Sequence, residues 1–185
     1  MSAASDLLKL PHLDREKIRQ TSDIISRQVR HMTGLIDDLL DVSRVSRGLV
    51  SLDKEVLDAR QIMANAIEQV RPLIDARRHR LTLRTSPELA YIEGGHKRLV
   101  QILSNVLNNT AKYTPEGGEI VLSMDVKKTE LVYTVSDNRI GIAAGVIDHI
   151  FDFFAQAERT SDRTQGGLGI GLALVKIWYC CTRGQ

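Results

Sequence analysis

The sequence predicts an α+β fold, a two-layer α/β sandwich with helices on one face of a sheet, preceded by the remnant of a helical hairpin. Three observations predict it. One long early segment carries an apolar seam repeating every seven residues, and this helical period stops near Ser46 to Gly48. Beyond that point amphipathic helices alternate with short strands of period two. The composition, 43% hydrophobic and 26% charged over 185 residues, is that of a chain able to bury a full core. The expected organisation is a hairpin region over 1–48 and a second domain over 49–185.

In chain order, Ser5 to Leu10 reads as the end of one helix and Pro11 to Asp14 as a turn, with Asp14 as a cap. From Asp14 to Val45, Ile18, Ile25, Met32 and Leu39 form the seam, and Val29, Ile36 and Val42 or Val45 fill in between. The opposite face is charged, so the helix is expected to lie against similar helices, including a second copy of itself. The plainer alternative is packing on the chain's own globular part. Leu49 to Val56 reads as a strand, and Asp58 caps a helix presenting Ile62, Met63, Ala66, Ile67 and Val70, with Pro72 kinking or ending it. Short strands are expected at Leu81 to Arg84 and Tyr91 to Ile92. A helix from Lys97 to Lys112 turns Leu99, Ile102, Leu103, Val106 and Leu107 inward, and strands follow at Glu119 to Val126 and Glu130 to Val135. The strands are expected to be mostly antiparallel, and the basic cluster Arg77, Arg78, His79 and Arg80 to be a solvated helix terminus.

Several classes are excluded. A formal charge of +2, evenly spread, does not argue for nucleic acid or an anionic membrane. No stretch approaches the ~18 apolar residues of a membrane span, and the first residues lack a secretion signal, so a cytoplasmic location is expected. Cys180 and Cys181 are adjacent and cannot frame a disulfide scaffold or a spaced metal site.

Four features fall where helices or strands end and backbone groups become free for a ligand. In NVLNNTAKYTPEGG, Asn105 and Asn109 share a helix face, with Lys112 and Tyr113 one turn on. Amide oxygens suit Mg²⁺ shared with phosphates and a lysine suits the phosphates, although such amides also satisfy local backbone. In SDNRIGI, Asp137 follows a strand, where a carboxylate can accept from an exocyclic amine while Ile140 and Ile142 cover a flat ring. In IFDFFAQAERTSDRTQGG, Phe151, Phe153 and Phe154 precede a polar stretch suited to a lid, or are simply core. In GGLGIGLALVK, Gly166, Gly167, Gly169 and Gly171 run into an apolar helix whose positive end can receive phosphate. No Walker-type motif occurs, and no strand, helix, strand unit surrounds the glycines as a dinucleotide fold requires.

In this order the segments resemble the ATP-binding domain of sensor histidine kinases of bacterial two-component systems, especially the hybrid kind. NVLNNTAKYTPEGG resembles the N-box, DNRIGI the first glycine box, IFDFFAQ the phenylalanine box and GGLGIGLALVK the second glycine box. RQVRHMTGLIDDLLDVSRVSRG looks like the second helix of the dimerisation and phosphotransfer hairpin, so the resemblance spans Asp6 to Lys176. It implies ATP and Mg²⁺ as ligands, a homodimer or heterodimer through helix 14–45, and a response regulator or partner kinase as partner. By position, Asn109 would hold Mg²⁺ with help from Asn105, and Lys112 and Tyr113 would contact phosphate and nearby polar groups. Asp137 would read the adenine amine, Gly141 and Ile142 would line the base pocket, and Gly167, Gly169 and Gly171 with Leu172 would wrap the phosphates. Related gyrase-type ATPases place a water-activating glutamate near Asn105, and its absence here favours phosphoryl transfer over hydrolysis.

Three departures from the family pattern stand out. The SHELRNPL-like motif holding the acceptor histidine does not occur, and none of the five histidines replaces it, so autophosphorylation of this chain is not expected. Arg139 stands where the D-x-G-x-G pattern has its first glycine. If that position needs a positive φ, the side chain costs roughly 1–2 kcal/mol and weakens ATP binding about tenfold, unless the arginine turns toward phosphate. Finally, IWYCCTRGQ reads as a foreign tail in place of a closing strand, the mark of a truncated or frameshifted frame.

Overall fold

The computed structural model describes residues 15–47, 54–86, 89–127, 130–139, 141–142, 144–155 and 169–182. The chain divides into two units, Met1–Leu49 and Val50–Gln185.

The described part of the first unit is one helix, α1 (Arg15–Ser46). Ile18, Val29, Met32, Ile36 and Leu39 on its seam are all exposed. Thr21 and Thr33 donate their hydroxyls to the carbonyls one turn back, Lys17 at 2.8 Å and Val29 at 3.1 Å, which satisfies the hydroxyls locally. The expected preceding helix and turn, 5–14, lie outside the described residues.

The second unit runs β1 (Glu55–Asp58), α2 (Ala59–Ala76), β2 (Arg80–Thr85), β3 (Tyr91–Gly94), α3 (His96–Tyr113), β4 (Glu119–Lys127), β5 (Glu130–Asp137), a single turn α4 (Ala144–Ile147) and α5 (Gly171–Thr182). β1 and β3 form an antiparallel ribbon, with Asp58 opposite Tyr91. The main sheet has the order β2-β4-β5. β4 and β5 are an antiparallel pair with Ile120 opposite Asp137. β2 runs parallel to β4, Arg80 opposite Glu119, the one parallel pair among the described strands, which are otherwise antiparallel as expected. The chain between them contains α3, and a parallel pair needs such a crossover.

Helix α2 starts where Asp58 caps it, its side chain accepting from the Arg60 N–H at 2.8 Å. Ile62, Met63, Ala66, Val70 and Ile74 bury one face of α2. Leu99, Leu103, Leu107 and Ala111 of α3, and the alternate β4 residues Ile120, Leu122 and Met124, complete the same core. This is helices over sheet in two layers.

Several expectations are corrected. The first strand begins at Glu55 within the described residues and runs through Asp58, two residues beyond the expected Val56. Pro72 neither ends nor replaces the last turn of α2, which continues to Ala76. One missing N–H on an exposed face is tolerated when the other face is held by Val70 and Ile74. The helix ends instead in a Schellman closure, His79 N–H to Ile74 C=O and Arg78 N–H to Asp75 C=O, both 3.0 Å, with Arg78 at φ 55° where glycine is usual. His79 is therefore not solvated: it is 8% exposed, and its Nε2 lies 2.8 Å from the Ala111 carbonyl at the end of α3. Separately, α5 runs on to Thr182 through part of the IWYCCTRGQ segment, and Trp178 within it is 1% exposed.

Candidate functional site

The candidate residues sit on three supports: the second half of α3, the exit of β5 and the start of α5. Helix α3 presents Asn105 and Asn109 on one side because its other side, Leu99, Leu103, Leu107 and Ala111, is held by the core. Asn105 donates its Nδ2 to the Gly171 carbonyl at 3.3 Å, joining α3 to the first residue of α5 across 66 positions of sequence. The same two helices meet again at Arg98 and Trp178, whose ring lies 4.2 Å from the guanidinium carbon. The pairings 105 with 171 and 98 with 178 make α3 and α5 antiparallel. Ile170, Ala173, Leu174 and Trp178 are buried, at helical spacing, and this stripe fixes the rotation of α5.

The first-turn N–H groups of α5 have no carbonyl of their own helix to bond and carry its positive dipole end. Gly169 just before them has φ +70°, and a Cβ there would lie 2.6 Å from the Ala155 carbonyl oxygen. Phe154 N–H donates to the Gly169 carbonyl at 3.1 Å, so the chain after the phenylalanines is stitched to the chain entering α5. Leu172 follows within the first turn and is half-buried. Gly166 and Gly167 lie outside the described residues. Phe151, Phe153 and Phe154 are all exposed, which corrects their reading as core, and the polar stretch 156–168 lies outside the described residues.

At the end of α3, Lys112 is half-buried with its Nζ 5.6 Å from the centre of the exposed Tyr113 ring. Burial, and secondarily the Arg77 guanidinium, hold its ammonium pKa below the ordinary lysine value. A cation in that state gains from an arriving anion. Arg77 also donates to the Thr114 carbonyl at 3.3 Å, and Gly117 N–H to the Arg77 carbonyl at 2.9 Å, which fasten this end of α3 to the α2–β2 connection.

Asp137 ends β5. Its Oδ1 accepts from the Arg139 N–H at 3.0 Å, and its Oδ2 forms an ion pair with the Arg139 Nε at 3.1 Å. Arg139 thus pairs with the acid beside it. Among the described residues only Arg78 and Phe154 combine a side chain with positive φ, so Arg139 bears no strain of that kind. Gly141, at φ +91°, does occupy the glycine region, and a Cβ there would meet nothing within 4 Å. Ile142 beside it is 39% exposed. Asn138, not singled out by the sequence, accepts from the Glu119 N–H at 3.0 Å and braces the loop on the start of β4. An Asn directly after an acid at a strand end is a turn signal that pointed to this.

Among the described residues no group of three or more His, Cys, Asp or Glu is placed to cage a metal. The donors on offer are the amides of α3, which suit a hard cation that keeps its waters and shares phosphate oxygens. Among the described residues no helix is long and apolar enough to cross a membrane.

A helix face bearing paired amides, an acid at a strand exit and glycines opening a helix thus stand on one two-layer α+β frame. Residues 94–180 match the family of histidine kinase-, DNA gyrase B- and HSP90-like ATPases, and relatives named sensor histidine kinases are similar to most of the chain. The chain is 36% identical over 166 residues to the circadian input-output histidine kinase CikA of Thermosynechococcus vestitus, covering 88% of this chain and 22% of that protein. It is 30% identical over 156 residues to the sensor histidine kinase WalK of Bacillus subtilis, covering 83% of this chain and 25% of that protein. It therefore spans about a quarter of the length of these relatives. Among solved structures, full-length ShkA in complex with AMPPNP superposes with a TM-score of 0.74 at 24% identity, over 91% of this chain and 35% of that one. The Acinetobacter baumannii histidine kinase AdeS gives 0.69 at 19% identity, over 94% of this chain and 77% of that one.

Proposed function

We propose that this chain binds ATP with Mg²⁺ beside α3 at the start of α5, as the nucleotide-binding part of a sensor histidine kinase. The observation that carries the reading is the bond from Asn105 to Gly171, which brings the amide pair and the glycine segment together. Asn109, with Asn105, would hold Mg²⁺, which when bound would neutralise charge on the phosphates. Lys112 and Tyr113 would meet phosphate and polar groups, and Gly167, Gly169, Gly171 and Leu172 would supply backbone to the phosphates. Asp137 would accept from the adenine amine, beside Gly141 and Ile142. The ancestral reaction is transfer of the γ-phosphoryl group from ATP to a histidine for relay to a response regulator, achieved by positioning and charge neutralisation. The acceptor is none of the five histidines of this chain, so the histidine that takes the phosphoryl group belongs to another segment or another chain, in the cytoplasm.

The test is titration of a fluorescent ATP analogue with and without Mg²⁺, against the wild type and Asn109→Ala. Mg²⁺-dependent binding that the substitution weakens at least tenfold supports the reading. Binding indifferent to both rejects it. A second reading, a non-catalytic module pairing through helix 14–45 with a partner kinase, is favoured by the exposed seam Ile18, Met32 and Leu39. γ-Labelled ATP offered with a partner's acceptor hairpin separates the two, because label on the hairpin requires a working nucleotide site.

A further inference from the structure

Asp137 has 10% of its side chain exposed and Arg139 has 25%, and both carboxylate oxygens are engaged by that one residue two positions on, Oδ1 by its N–H and Oδ2 by an ion pair with its Nε. The backbone N–H bond is local turn geometry that any residue at 139 could make. The Nε ion pair is particular to arginine, and it matches the negative charge of Asp137 with a guanidinium. Beyond the pair, a Cβ at Gly141 would meet nothing within 4 Å among the described residues, and Ile142 is exposed.

We propose that Arg139 competes with the purine base for the Asp137 carboxylate, and so sets how strongly this site selects a 6-amino over a 6-oxo purine. The proposal rests on the nucleotide reading above. A 6-amino group is a donor and needs a carboxylate lone pair, and it meets one already shared with a guanidinium. A 6-oxo group is an acceptor, repelled by a bare carboxylate but matched by the arginine. Arg139 therefore weakens the fit to adenine and softens the penalty on hypoxanthine. Space alone would give a different result, since a merely bulky side chain disfavours both bases equally.

The experiment compares ATP and inosine triphosphate, each with Mg²⁺, binding to the full chain in wild type, Arg139→Ala and Arg139→Gln, the last placing an uncharged N–H donor about where the arginine Nε lies. The expected result is that both variants bind ATP about tenfold more tightly and inosine triphosphate no more tightly, widening the preference at least tenfold. Equal preference in all three proteins overturns the proposal, as does a parallel gain for both triphosphates. Absence of any triphosphate binding in all three overturns the nucleotide reading and this proposal with it, an outcome distinct from the other two.

Discussion

The Arg98 guanidinium lies over the Trp178 ring, 4.2 Å from its centre, seven residues before Asn105 on α3 and seven after Gly171 on α5. At 1.5 Å per residue that places about 10 Å between the two fastenings of these helices. A cation over an indole face is worth roughly 0.5–2 kcal/mol, and burial of the ring adds the larger share. The position of α5, and with it the glycine entry to the candidate site, is set by an aromatic anchor well away from any ligand group.

Trp178→Ala is expected to destabilise the protein by about 3–5 kcal/mol, the usual cost of removing a buried aromatic ring. Trp178→Phe is expected to cost much less, since the indole Nε1 is buried with no partner among the described residues and its loss leaves nothing unpaired. Urea unfolding of both variants checks this. An alanine variant as stable as wild type would show that α5 is not held by this side chain.

Gly169→Ala sets a side chain at φ +70° with its Cβ 2.6 Å from the Ala155 carbonyl oxygen. The left-handed conformation alone costs an L-residue about 1–2 kcal/mol. Triphosphate affinity is expected to fall at least tenfold, because the entry to α5 must shift. Calorimetric titration reads it, and an unchanged affinity would separate this segment from ligand binding.

Lys112 has its pKa lowered from 10.5 by burial first and Arg77 second. Its charged form is disfavoured by folding, so the penalty is full below the folded pKa and is relieved as pH rises toward 10.5. Lys112→Gln removes that penalty and should leave the nucleotide-free protein at least as stable at pH 7. The same variant should bind triphosphate about tenfold more weakly. Thermal unfolding with and without ATP tests both halves; a variant that loses stability without ligand would contradict the sign.

The Tyr133 hydroxyl donates to the Ala59 carbonyl at 2.6 Å, and burial, then the Asp58 charge, raises its pKa above the usual 10.0. Folding thus favours the neutral phenol, a contribution complete below pH 10.0 and lost as pH climbs through the raised value. Tyr133→Phe should cost about 1 kcal/mol at pH 7. The gap from wild type should narrow above pH 10.0, where the unfolded tyrosine ionises. A gap constant to pH 11 would refute this.

Where hydrophobic period decides structure, sequence reading was accurate. The helix expected over Lys97 to Lys112 is His96–Tyr113, and the two long strands are within two residues of expectation. The same reasoning placed the Asp58 cap, which is a local bond. Strand direction has no signature in alternation, so the parallel β2–β4 pair was not visible. Arg78 holds a left-handed helix end without the glycine that would advertise it, and this carried His79 into the interior. Of the candidate site, the amide pair and the special backbone at Gly141 and Gly169 follow from local rules. The engagement of Asp137 by Arg139 depends on the path of a loop, which residue types alone do not dictate. Trp178 was open to recognition, since Ile170, Ala173, Leu174 and Trp178 keep one stripe through residues that otherwise looked unlike their surroundings.

The Asn105 amide and the Gly171 carbonyl also form a mechanical coupling. Sliding or tilting the first turn of α5 either stretches that bond or drags the amide with it, while the aromatic anchor at Trp178 keeps the far end still. Helix α5 is therefore hinged at one end and tethered at the other, and a pull on its glycine entry is transmitted to the middle of α3.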